Sequence, residues 1–254
     1  MIELKSPAEL AIMHENGQLL AQILRTLCSR VQAGATTLAF DELAEEMIRD
    51  NGATPSFKGY LGYPATINAS INEEVVHGIP SAKRTLREGD LFSIDIGLVR
   101  NGFHVDMATT VPVGEVSEQA KRLLEAGESS LWEGIRQVRI GNRLSDISHA
   151  IGSFAEAAGF HVVKEYVGHG IGKVLHEDPQ IPNYGPPGEG VRLRSGMALA
   201  IEPMLKVDPN PTRVLNDRWT VVTGSGGLAV HFEHTVVLND EEAVVVTLGG
   251  DDKA

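Results

Sequence analysis

Apolar residues recur at Ile12/Met13, Leu19/Leu20, Ile23/Leu24 and Leu27, close to the spacing of one helical face. Ser6-Pro7-Ala8-Glu9 supplies a start for that helix: an N-cap serine, a proline at the first position and a glutamate placed for a capping box. Cys28, the only cysteine, falls beside this stripe and reads as a small buried side chain, not a nucleophile. A second helix is predicted from about Leu38 to Asp50, stopped by Asn51-Gly52. Further helices are expected after Ser117 and from about Ser145 to Ala158. Leu91–Leu98 and Phe103–Val111 alternate apolar and polar residues and predict two strands, and strands resume near Ala198 and over Leu228–Leu238. Residues 54–68 and 178–190 carry so much Gly and Pro that they read as loop, and the tail GGDDKA is expected to fray.

The pattern repeats. Val31-x-x-Gly34 recurs as Val138-x-x-Gly141, Asn51-Gly52 as Ala158-Gly159, and the segment from Arg87 to Asp95 lies over that from Arg194 to Glu202, all at one offset of 107 residues. Each half then reads helix, helix, strand hairpin. Neither half carries enough core alone, and no polar linker separates them. The expectation is a single α+β catalytic domain over 1–254 with an internal pseudo-repeat, about 1–115 and 116–250.

In the first hairpin, Ser93, Asp95 and Gly97 alternate with apolar residues, as do His104, Asp106 and Ala108. A four-residue turn over Val99–Gly102 would put Asp95 opposite Asp106, with Cβ atoms about 5 Å apart. Facing carboxylates repel, so a shared proton, a basic side chain or a metal must compensate. Neither strand places a Lys or Arg on that face. The repeat supplies a second pair: Asp95 corresponds to Glu202 by offset, and Asp106 to Glu233 by pattern, since His104-Val105-Asp106 matches His231-Phe232-Glu233. A pseudo-two-fold would gather the four carboxylates around one centre, where two divalent cations would cancel their charge. His169, between Gly168 and Gly170, is the candidate imidazole ligand. This mixed oxygen and nitrogen set suits Co, Mn, Fe or Zn better than Ca or Mg. His231 alternates onto the face of Glu233 and reads as a residue behind the ligands, and His14 as an exposed helix residue.

Composition narrows the partners. A net charge of −12 argues against nucleic acid, whose phosphates would be repelled. The N-terminus lacks the apolar stretch of a signal peptide, and no run approaches the length of a membrane span. With one cysteine and no possible intramolecular disulfide, a cytoplasmic protein is expected.

Asn72-Glu73-Glu74-Val75-Val76-His77-Gly78-Ile79-Pro80, Asp95, Asp106, Gly168-His169-Gly170-Ile171-Gly172, His176-Glu177-Asp178-Pro179, Ile201-Glu202-Pro203-Met204 and Phe232-Glu233-His234-Thr235 follow in that order. Taken together they resemble the type I methionine aminopeptidases of the pita-bread, or creatinase-like, fold, over nearly the whole chain and in the short bacterial form. The resemblance implies a curved antiparallel sheet covered by helices in two pseudo-symmetric halves. It implies two metals bound by Asp95, Asp106, His169, Glu202 and Glu233, with Asp106 and Glu233 bridging. It implies substrate contacts from His77 and His176, and closure of the methionine pocket by Trp219. Tyr60 and Tyr63 keep the family's aromatic pattern. Leu175 stands where many relatives have Phe, and Phe57 and Asn68 where a common bacterial form has Cys, which leaves the shape of the pocket open.

The expected reaction is removal of the initiator methionine, by a hydroxide between two metals attacking the first peptide carbonyl. Glu202 would act as general base as well as ligand, His176 would hydrogen-bond the developing oxyanion, and His77 would assist the leaving amine or orient substrate. The substrate would be the N-terminal Met of nascent polypeptides at or near the ribosome, with the enzyme a monomer and without a membrane or nucleic-acid partner. Two alternatives stand beside this reading. One is a proline-directed aminopeptidase or prolidase, which shares the ligands. The other is a non-catalytic binding module on the same fold, which typically loses them.

Overall fold

Helix α1 (Pro7–Cys28) opens at the expected cap: the Glu9 N–H donates to Ser6 Oγ, and the Ser6 N–H donates to the Glu9 carboxylate. Helices α2 (Thr37–Asp50), α3 (Glu118–Ile135) and α4 (Leu144–Ala157) follow, the first two of these capped by Thr36 and Ser117. The computed structural model describes residues 2–249, so the end of the GGDDKA tail, from Gly250 on, lies outside the described residues. Both ends of α4 lie 107 residues beyond those of α2 (37 to 144, 50 to 157), and α3 ends 107 residues beyond α1 (28 to 135). The isolated bridges Thr36–Thr85 and Arg143–Arg192 keep the same interval.

The main sheet has nine strands among the described residues: β1 (Thr54–Pro55), β2 (Ile67–Ile71), β3 (Leu91–Arg100), β4 (Phe103–Pro112), β5 (Gly168–Gly170), β6 (Glu177–Ile181), β7 (Ala198–Ile201), β8 (Glu233–Leu238) and β9 (Ala243–Val245). Its order is β1-β3-β4-β8-β7-β5-β6, all pairs antiparallel, with β2 also on β3 and β9 also on β8. The two long hairpin strands of the first half therefore abut the strands of the second half through β4 and β8.

Three local expectations need correction. The β3–β4 turn is two residues, not four: Asn101 and Gly102 adopt φ of 53° and 80°, the left-handed pair that a tight hairpin requires. Asp95 consequently faces Ala108, and Asp106 faces Gly97. A shift of two residues keeps every side chain on its expected face, so the carboxylates become diagonal neighbours instead of opposite ones. The run 228–238 breaks at Phe232, so that Ala229–His231 pairs with Met204–Lys206 in a separate three-stranded sheet while Glu233 enters the main one. The Pro-rich stretches also contain strands: β2 begins within 54–68, and β6 carries Pro179 at the sheet edge, where a missing N–H is tolerated.

The sheet face away from the carboxylates is apolar. Ile94, Ile96, Leu98 and Val105 pack with Met13, Leu20, Ile23 and Phe40 of α1 and α2. Leu199, Ile201, Val236 and Leu238 pack with Leu123, Ile147 and Ile151 of α3 and α4. Burial pushes the half-buried Cys28 thiol up to about 11, which keeps it protonated at neutral pH. No helix among the described residues is long and apolar enough to cross a membrane.

The N-terminal segment is tied to the loop before β6. The Lys5 N–H donates to Gly196 O at 2.7 Å, and buried Lys5 Nζ pairs with the half-buried Glu177. A Cβ on Gly172 would lie 2.4 Å from Lys5 Cε, so a side chain there would displace the end of Lys5 from this ion pair. Lys5→Met strands the Glu177 carboxylate without its partner and is expected to cost about 3–5 kcal/mol in urea unfolding; a loss under about 1 kcal/mol would show the pair to be solvated.

Candidate active site

Strand pairing assembles the carboxylates in two adjacent rows. The first runs Asn68, Asp95, Ala108, Glu233, across β2, β3, β4 and β8, and continues to Glu202, which follows Ile201, the partner of His234. The second, two residues along, runs from Gly97 to Asp106 on the first hairpin and from Thr235 to Ala200 and His169 on the second. Within the second row the two hairpins are locked together by Thr235, whose hydroxyl accepts from the Asp106 N–H at 2.9 Å and donates to Asp106 O at 2.7 Å. Gly97 lets the strand lie close here, because a Cβ would sit 3.2 Å from Asp106 Oδ1 and 3.0 Å from Ser56 Cβ, and those neighbours would have to shift by a few tenths of an ångström.

The cage is buried and acidic. Asp95, Asp106 and Glu233 are at most 8% exposed, and Asp95 Oδ1, Asp106 Oδ1 and Glu233 Oε1 have no hydrogen-bond partner among the described residues. Burial pushes Asp95 up to about 6, against the pull of His231 and of the Asn68 amide, which donates to Asp95 Oδ2. Burial also holds Asp106, Glu202 and Glu233 well above the carboxylate range, with the charges of the neighbouring carboxylates adding for Asp106 and Glu233. Burial lowers His169 to about 3, so its imidazole is neutral. His169 Nδ1 lies 2.9 Å from Gly170 O, an atom that can only accept, so Nδ1 carries the proton and the Nε2 lone pair faces the cage. Ligand atoms of Asp106, His169 and Glu233 lie within 4.8 Å of one another, as do those of Glu202, His231 and Glu233. Orphaned carboxylate oxygens beside a free imidazole lone pair are a donor set that fits a divalent cation.

The cage opens into a cavity of about 200 Å³ whose walls include all the residues singled out in the sequence: His77, His176, Tyr60, Tyr63, Leu175 and Trp219, with Phe57 and Asn68. His176 stands over His169, ring centroids 4.3 Å apart, and its Nδ1 lies 2.8 Å from the Tyr60 hydroxyl. His77 lies edge-on to Tyr166 and to Trp219, with centroids at 5.6 and 6.3 Å. It sits at φ 61°, a backbone conformation uncommon for a non-glycine residue, and burial lowers it to about 4. Trp219 is fixed by Asp217, whose carboxylate accepts from the Trp219 and Thr220 N–H groups. Tyr63 offers the cavity its ring and not its hydroxyl, which lies 3.0 Å from Ile67 O and 3.1 Å from Gly78 O. Tyr166, Val167 and Met204 also line the cavity, and sequence reasoning passed over them. Their nearness to His169 and Glu202 along the chain was the available signal.

The family model described as metallopeptidase family M24 matches residues 11–240. The chain belongs to metallopeptidase family M24. This M24 chain is 49% identical over 247 residues to methionine aminopeptidase 1 of Bacillus subtilis, a match covering 97% of this chain and 99% of that protein. Its structure is similar to that of methionine aminopeptidase from Rickettsia prowazekii, with a TM-score of 0.95, 36% identity and coverage of 98% of this chain and 100% of that one. The prolidase from Pyrococcus horikoshii OT3 has a TM-score of 0.77 at 20% identity, over 97% of this chain and 63% of that one, a likeness of fold alone. The fold is thus the pita-bread α+β fold. Membership of a metallopeptidase family implies use of a divalent metal.

The electrostatics predict how the metal-stripped M24 protein responds to pH. Carboxylates with raised folded-state values hold protons that the unfolded chain has released, so their stabilising contribution is lost as pH rises above about 4. His77 and His169, neutral when folded, act oppositely, and their contribution is lost as pH falls below about 6.5. Above about 6.5 the histidine effect is spent and the carboxylates still protonated act alone, so the melting temperature of the stripped protein should go on falling as pH rises from there. Divalent-ion binding near pH 7 should release protons, seen as a calorimetric heat that varies with the buffer's ionisation enthalpy. A flat melting profile with a buffer-independent heat would contradict this account of the cage.

Proposed function

We propose that the chain is a methionyl aminopeptidase that removes the initiator methionine from nascent polypeptides with two divalent cations held by Asp95, Asp106, His169, Glu202 and Glu233. The observation that carries this reading is the opening of a buried carboxylate–imidazole cage into a small cavity walled by His77, His176 and aromatic rings. Four carboxylates match the charge of two such cations, and Asp106 and Glu233, central in the two rows, would be the ligands shared by both. Co, Mn, Fe and Zn all suit the donors. Bound there, divalent cations supply Lewis acidity toward a carbonyl oxygen and lower the pKa of water.

The protein's own groups do the rest. A cavity of about 200 Å³ has room for little more than one side chain ahead of the scissile bond, which favours exopeptidase action. Trp219 and Tyr63, with rings 5.0 Å apart, supply an apolar wall for a thioether side chain. Leu175 and Phe57 complete the apolar lining that separates this pocket from those with Phe or Cys at these positions. Water adds to the first peptide carbonyl carbon. Glu202 accepts the proton released and returns it to the leaving nitrogen as the C–N bond breaks. With the Tyr60 hydroxyl on Nδ1, His176 presents Nε2 to the cavity, where Nε2–H donates to the carbonyl oxygen as negative charge develops. His77 orients the substrate or receives the leaving amine from the Trp219 side.

The same reading makes the chain one catalytic unit of two duplicated halves, supported by the 107-residue phase of helices and bridges. It also places a monomer in the cytoplasm, near the ribosome, where the substrate arises.

Metal-stripped protein reloaded with Co, Mn, Fe or Zn should release Met from Met-Ala-Ser and leave X-Pro peptides intact, with no activity before reloading. Preferential X-Pro cleavage would transfer the chain to the prolidase reading, and failure to hold metal would favour a binding module. Glu202→Gln should lower kcat by roughly 10²–10⁴. His176→Ala should lower it by roughly 10²–10³ with metal content unchanged; a near-normal kcat would remove the role assigned to His176.

A further inference from the structure

The proton-carrying carboxylate is approached by a second imidazole. His231 ends the short strand Ala229–His231, paired with Met204, and is 2% exposed. Its Nε2 is buried without a hydrogen-bond partner among the described residues and points at Glu202 Oε2, 3.6 Å away, and more distantly at Glu233 Oε2, 3.9 Å away. The other oxygen of the same carboxylate, Glu202 Oε1, lies 3.4 Å from His169 Nε2. Glu202 therefore stands between two imidazoles that address different oxygens. The backbone of His231 is clamped: its N–H donates to Thr110 Oγ1, and the Thr110 hydroxyl donates to His231 O, both at 2.9 Å. The imidazole is thus held in place by a strand of the first half while it faces a carboxylate of the second.

We infer that His231 is a positioning residue for Glu202: its Nε2–H donates to Glu202 Oε2, leaving Oε1 turned to the side of His169. This rests on the proposed role of Glu202 as metal ligand and proton carrier. The separation is a few tenths of an ångström beyond hydrogen-bond length, and the terminal torsion of a glutamate is soft, so a small rotation closes it. Glu233 is the farther acceptor and sits in the centre of the first row, so Glu202 is the partner the geometry favours. A carboxylate fixed through one oxygen presents the other in a single orientation, the role that hydrogen-bond partners behind metal ligands generally fill.

The test uses zinc-loaded full-length protein. Labelling with ¹⁵N-histidine, with His231 assigned by the signal lost in His231→Gln, should show a proton on Nε2. Competition with a chromophoric chelator should give zinc affinity weakened about 10–100-fold in His231→Leu and restored to within about threefold in His231→Gln, whose amide keeps an N–H donor. Circular dichroism and melting of each variant separate lost folding from lost positioning, and the tautomer and the His231→Gln affinity remain readable if His231→Leu does not fold. An unprotonated Nε2 would make His231 a metal ligand and overturn the inference, as would wild-type affinity in His231→Leu or a loss in His231→Gln as large as in His231→Leu. Wild-type protein holding fewer than two zinc ions would instead break the two-metal reading.

Discussion

Four acidic side chains on one face of a sheet, buried and a few ångströms apart, cannot all ionise unless something positive joins them. Asp106, Glu202 and Glu233 are held well above the usual carboxylate range for this reason, and the two imidazoles in close contact with Glu202, His169 and His231, are themselves pushed toward their neutral forms by burial. Such a cluster opposes folding until its charge is compensated. The rest of the molecule supplies the opposing stability. The reverse face of the same strands packs into two apolar cores beneath two pairs of helices, so one sheet carries both the unfavourable cage and the favourable burial that tolerates it.

Precision in the cage comes from backbone pairing. Asp95, Asp106 and Glu233 are each one residue of a strand whose partners are set by register, Glu202 directly follows such a strand, and the two hairpins meet where Thr235 exchanges hydrogen bonds with the backbone of Asp106. Loops contribute the residues that face substrate. His77 holds a left-handed backbone, Trp219 sits on an Asp217 turn, and His176 lies just before Glu177, which Lys5 anchors. Rigid strands thus hold the groups whose charges must be balanced, while anchored loops hold the groups that recognise a ligand.

The helices, the central hairpin and the acidic pairs were legible because their signals are local: a capping box at Ser6–Glu9, period-two alternation around Asp95 and Asp106, a glycine-flanked His169. The 107-residue interval made the second pair legible by comparison with the first. Asn101-Gly102 is a strong two-residue turn signal that was read too broadly, and the resulting register error of two residues preserved the face while misplacing the partner. Other features depend on packing that no local pattern carries. Phe232 ends one strand and begins another because His231 and Glu233 belong to different sheets, a division visible only once Met204–Lys206 has a partner. Tyr166 and Met204 line the cavity with no sequence signal beyond their nearness to His169 and Glu202 along the chain.

That break at Phe232 has a chemical effect. A continuous strand would point His231 and Glu233 to the same face two residues apart, in adjacent rows of the one sheet. With the chain changing sheets between them, His231 pairs with Met204 and Glu233 with Ala108, so the imidazole approaches Glu202 from beside the main sheet and not along it. The four-carboxylate surface stays available to cations, while the one carboxylate that also has a proton to carry gains a neighbour outside that surface. A strand irregularity that reads from sequence as a minor interruption thereby separates the two tasks of holding charge and directing a proton.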